Sequence, residues 1–188
     1  VEDGDVYVIE SSFATQGVLE ISNLKTITHE HFKSIARSET KAGDIIIAKI
    51  GAQFGKCSIL PMLDKPAVVS GNSLKLSVNE DVMNVELVCW QLVNLKQQGA
   101  IDLIVNLTAQ PALSLGSMNE LPILVPPKTE QIQIVGALAL KLEQYDSLVS
   151  EARTAITLLQ ERRTALISAA VTGQIDVRGL ATRGDAAQ

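Results

Sequence analysis

The stretch Lys128-Thr-Glu-Gln-Ile-Gln-Ile-Val135 through Leu166-Ile-Ser-Ala-Ala-Val-Thr172 decides the architecture, because its apolar residues keep a seven-residue beat. One seam position is filled by Val135, Leu142, Val149, Ile156, Arg163 and Ala170. The other is filled by Leu138, Tyr145, Ala152, Leu159 and Leu166, and Arg163 is the one polar residue in either set. A stripe held for about five heptads predicts a long helix with a coiled-coil seam. At 1.5 Å rise per residue it would run about 65 Å, far beyond what covering a small core requires. Such a helix needs a partner helix; folding back onto the rest of the chain would hide only part of it.

The residues around this helix predict its ends. Pro126 and Pro127 push the preceding chain extended and are tolerated in a helix's first turn. Thr129 and Glu130 then supply polar and acidic groups at the positive end, and Arg162 and Arg163 lie nearer the negative one. Gly173 is a natural stop. We therefore expect three parts: a domain over residues 1–126, a pairing helix over 127–173, and a short segment with a flexible tail over 174–188.

The first 126 residues read as strand-rich α+β. Apolar runs at residues 6–9, 18–21, 44–50, 57–60 and 73–78 predict strands, with a short one at 121–125. Turn residues separate them, among them Gly43, Gly51, Gly55, Pro61, Pro66 and Gly71. Residues 82–98 repeat Val85, Val88, Cys89, Leu92, Val93 and Lys96 at helical spacing, and 101–107 predict a second short helix.

Totals exclude several classes. The 188 residues contain no apolar run long enough to span a bilayer, so no membrane partner is expected. The chain begins at Val1 with no charged or apolar leader, which suits a fragment boundary or processed end of a cytoplasmic protein. Cys57 and Cys89 sit in apolar surroundings without ligand spacing, so we expect reduced core thiols. The net charge of −5 speaks against nucleic acid, but it is unevenly spread. Between Lys25 and Lys75 eight basic residues face four acidic ones, leaving an excess of +4 there and −9 elsewhere.

Catalytic patterns are absent. Gly51-Ala-Gln-Phe-Gly55-Lys56-Cys57 has too few residues between its glycines, and no Ser or Thr after the lysine, to be a phosphate loop. Val125 and Lys128 flank Pro126-Pro127 where an adenine methyltransferase needs an amide and an aromatic ring. His29 and His31 would share one face of a strand but lack a third ligand, so no metal site is expected. What remains is a strand-turn-strand loop whose glycines permit positive φ and whose amides, with Lys49 and Lys56, suit a phosphate. An ordinary hairpin turn explains the same residues.

The segment from Leu121-Pro-Ile-Leu-Val-Pro-Pro-Lys-Thr-Glu-Gln131 through Ile134-Val135, with Leu159-Gln-Glu-Arg-Arg-Thr-Ala-Leu-Ile167 and Val171-Thr-Gly-Gln-Ile-Asp176, resembles the specificity subunits of type I restriction-modification enzymes. Ala42-Gly-Asp-Ile-Ile-Ile47 and the following glycine loop resemble the middle of that family's target recognition domains. The resemblance implies the carboxy-terminal half of such a subunit: a second target recognition domain and its conserved-region helix, which packs antiparallel on the helix of the other half. It implies a double-stranded DNA partner and no catalysis or cofactor in this chain. S-adenosylmethionine would come with modification subunits, ATP with restriction subunits. The nine pairing residues would be Val135, Leu138, Leu142, Tyr145, Val149, Ala152, Ile156, Leu159 and Leu166, met by the other half's helix or by a second copy. For DNA contact we single out Lys49, Gln53 and Lys56, then Lys25, His29, Asn72 and Gln110; lysines suit phosphates, and the amides suit adenine edges. The alternative is a coiled-coil adaptor whose head binds a protein or small ligand.

Overall fold

Ile45-Ile46-Ile47-Ala48 is buried along its whole length, because both faces of this strand are covered. In the computed structural model, which describes residues 4–105 and 112–176, this strand is β4 (Ile45–Ala48). Ile45 and Ile47 enter one apolar cluster with Leu74, Leu87, Leu92, Ile101 and Leu113. Ile46 and Ala48 enter a second with Tyr7, Ile9, Phe13, Leu60 and Ala67. One strand therefore divides two cores by its two-residue alternation.

Two sheets build these cores. The first has the order β2 (Lys25–Ile27), β1 (Val6–Ile9), β6 (Ala67–Val69), β3 (Glu39–Thr40), with β1 and β6 parallel and the other pairs antiparallel. The second is antiparallel, with β4 between β5 (Cys57–Ile59) and β7 (Ser73–Leu76). Asp44 closes the turn into β4: its carboxylate accepts from Thr40 Oγ1 at 3.0 Å, Lys41 N at 2.8 Å and Ser77 Oγ at 2.6 Å. Helix α1 (Ser11–Gln16) covers one core with Phe13 and Ala14, and α3 (Val85–Gln97) covers the other. The short helices are α2 (His29–Ser34), α4 (Ala100–Leu103) and α5 (Leu115–Met118).

Several expectations change. Residues 18–21 form no strand, because Gly17 at φ 71° ends α1 in a left-handed turn and leaves Val18 exposed before a 3-10 turn at Ile21–Asn23. Residues 121–125 form none either. There the Gln91 side chain replaces a strand neighbour, donating to Leu124 O at 3.0 Å and accepting from Leu124 N at 2.7 Å. His29 and His31 lie on α2, whose start is capped by Thr28 at His31 N, so they point to different sides. Strands β2, β3 and β6 and helices α1, α2 and α5 were not anticipated. The α3 helix begins at Val85 rather than 82, with Asn84 Oδ1 capping Leu87 N at 3.0 Å.

The long helix is α6 (Lys128–Val171). The chain divides into two compact units, Val1–Val135 and Gly136–Gln188, so the first two turns of α6 belong with the head. Gln131 is the reason. It is 1% exposed, accepts from Asn84 N at 2.7 Å, and donates to Val82 O at 3.0 Å and Pro126 O at 2.8 Å. Ile134 and Val135 are half-buried against the head's apolar cluster. Val135 and Leu138, both expected in the pairing seam, are half-buried, Val135 against that cluster. In the second unit Leu142, Tyr145, Val149, Ile156, Leu159 and Leu166 are exposed, as is the small Ala152.

Candidate nucleic-acid interface

The connection from β4 to β5 is a loop of fixed shape. Its base is tied by Ala48 N to Lys56 O at 2.9 Å and Gly55 N to Ala48 O at 2.8 Å, and Phe54 N bonds Gly51 O at 3.1 Å. Gly51 and Gly55 take φ of 85° and 79°, which side chains with a Cβ resist. Phe54 turns inward, and Lys96 Nζ sits 3.7 Å from its ring centroid while also bonding Asp102 Oδ1 at 2.7 Å. A ring held in the core with a cation over it braces the loop from below. Gln53 and Lys56, on either side of this anchor, are exposed, and Lys49 is half-buried.

Backbone bonds collect other residues at the same end of the sheets. Lys49 N donates to Asn72 O at 2.9 Å, and Leu113 N donates to Lys49 O at 2.8 Å. Asn72 is exposed on the turn between β6 and β7, where Ser70 N bonds Ile9 O at 2.9 Å. Glu10, next along from Ile9, holds Lys25 at 2.6 Å. The structure therefore brings Lys25, Lys49, Gln53, Lys56 and Asn72 to one end. It does not bring His29 there, since α2 begins beyond the opposite end of β2. Gln110 lies outside the described residues. Lys25 is already matched by a carboxylate, whereas Lys49 and Lys56 have no anionic partner among the described residues.

Cys57 and Cys89 are free, with sulfurs 3.8 Å apart. Hydrogen bonding to Cys89 and burial both push the Cys57 thiol up, which makes it a poor nucleophile. No cluster of three or more His, Cys, Asp or Glu suited to a metal occurs among the described residues, and no helix there is long and apolar enough to cross a membrane.

The sequence profile described as the type I restriction modification DNA specificity domain matches residues 2–155. The chain belongs to that family. This specificity domain is the DNA-recognition part of a type I restriction-modification system, not a catalyst. Its fold is also similar to a solved chain reported for complex assembly and conformational transition of the type I R-M system, with a TM-score of 0.56 at 21% identity. That match covers 92% of this chain but 44% of the other, so the specificity domain spans less than half of the solved chain. No curated protein matches it.

Two structural supports escaped the sequence reading. Gln131 stood inside the resembling segment without a role, and the Phe54–Lys96–Asp102 brace had no signal beyond an aromatic residue between two glycines.

Proposed function

We propose that this specificity domain reads one half of a bipartite DNA target, holding the duplex at the head end that carries Lys49, Gln53, Lys56 and Asn72. The supporting observation is the braced β4–β5 loop, where two cations without anionic partners flank a rigid, glycine-bounded turn. Lys49 and Lys56 hold phosphates, and Gln53 and Asn72 offer amides to adenine edges. Lys25 is a weaker contact because Glu10 competes for it. His29, at the other end, and Gln110 rank below these.

In this reading residues 1–126 form the reading domain, 127–173 the spacer and 174–188 a tail. The exposed seam from Leu142 to Leu166 pairs with an antiparallel helix, supplied by the other half of the subunit or by a second copy. A spacer longer than one DNA turn, about 34 Å, sets two heads over separated major-groove segments. Leu140 and Leu158 are exposed off that seam and offer apolar surface to modification subunits, which bring S-adenosylmethionine. Restriction subunits bring ATP, and the assembly works in the cytoplasm.

A salt titration of duplex binding tests this. Log affinity should fall linearly with log salt at about −0.9 per phosphate contact, and Lys49→Ala or Lys56→Ala should each flatten the slope by about one contact. Binding that ignores salt, or slopes untouched by both substitutions, would overturn the reading.

A further inference from the structure

Arg37 is the sole arginine of residues 1–135. It lies exposed on a 3-10 turn, Ala36–Ser38, just before β3. Glu39 is in register with Val68 of antiparallel β6, so the chain ahead of β3 lies toward Val69 and the turn that carries Asn72. That is the end of the sheets where Lys49, Gln53 and Lys56 gather.

Two cations of these sheets are engaged: Lys25 holds Glu10, and Lys75 donates to Glu39 O. The Arg37 side chain has no hydrogen bond or ion pair among the described residues, and neither do the side chains of Lys33, Lys41, Lys49 and Lys56. A guanidinium differs from an ammonium by its planar fork of donors, which matches the two acceptors on a guanine edge, O6 and N7. Gln53 and Asn72 suit adenine edges, and Arg37 adds the one forked donor that suits a guanine edge.

We propose that Arg37 reads a guanine in the major groove, beside lysines that hold the backbone; this rests on the DNA-reading function above. The test selects duplexes from a randomised pool with the parent chain, then measures binding of Arg37→Ala, Arg37→Lys and Lys49→Ala to the selected and scrambled duplexes. Both Arg37 variants should lose roughly 10- to 100-fold on the selected duplex, with preference flattened at one G·C pair. Lys49→Ala should weaken both duplexes alike. An Arg37→Ala that weakens the selected and scrambled duplexes alike would assign Arg37 to a phosphate and overturn the proposal, as would one that keeps the full preference. A parent chain that selects nothing and shows no salt-dependent binding would bring down the DNA-reading function itself.

Discussion

The head and the second unit of this specificity domain solve the same physical problem in opposite ways. In the head, apolar side chains close two cores around β4, and among the described residues every buried side-chain nitrogen or oxygen has a hydrogen-bond partner. From Gly136 onward, the seam residues Leu142, Tyr145, Val149, Ile156, Leu159 and Leu166 stay between 36% and 64% exposed. The first region buries its apolar clusters within itself, and the second carries a regular apolar stripe that nothing in its own unit covers. The proposed helix pairing would cover a stripe kept in register for that length.

Replacing Leu142 and Leu159 with aspartate is the sharpest way to separate the two. Charges at both seam positions should abolish helix-mediated association, seen as a shift to monomer in sedimentation velocity, while the urea midpoint of the head stays put. A head that melted along with the lost association would break the contrast, since the seam would then be part of the head's own core.

Gln131 tests the reverse. It sits on α6 yet belongs to the head, joining Asn84, Val82 and Pro126 through three hydrogen bonds. Gln131→Leu keeps the volume and leaves a buried N–H and two carbonyls without that partner, at a cost of about 3 kcal/mol. Urea unfolding of the head should register this loss, and the association of α6 should not change. A stability within error of the parent would mean that water replaces the amide, and that the first turns of α6 are not locked to the head.

The elements that were legible in sequence are those long enough to show a period. The heptads of α6, the helical spacing of α3 and the continuous apolar run of β4 each repeat a signal. Helices α1 and α2 span six residues each, too few for a 3.6-residue period to register. Strand β6 has only three residues between Pro66 and Ser70, so its flanking turn residues dominated the reading. At residues 18–21 apolar composition misled because Gly17 had already set the chain direction. The proposed reading end was partly legible, because Lys49, Gln53 and Lys56 share one hairpin, and Asn72 joins them through a backbone bond to Lys49. The brace beneath was not. Phe54 meets Lys96 only through tertiary packing, which no local pattern announces, and Gln131 meets Asn84 across 47 positions.

Within the head, the two glycines of the β4–β5 loop sharpen the contrast between braced and free structure at the smallest scale. Both take positive φ, so an alanine at either costs about 1 kcal/mol from backbone conformation alone. Their surroundings differ. A Cβ on Gly51 meets nothing within 4 Å, whereas one on Gly55 would stand 2.9 Å from Ile101 Cγ2 and 3.2 Å from Lys96 Cδ. Forcing that methyl in should add about 1–2 kcal/mol of overpacking. Gly55→Ala is therefore expected to lower stability by about 2–3 kcal/mol and Gly51→Ala by about 1 kcal/mol, read from urea midpoints at constant slope. Equal losses would mean that Ile101 and Lys96 yield to the added methyl, and that the loop carrying Gln53 is less firmly braced than the packing around Phe54 implies.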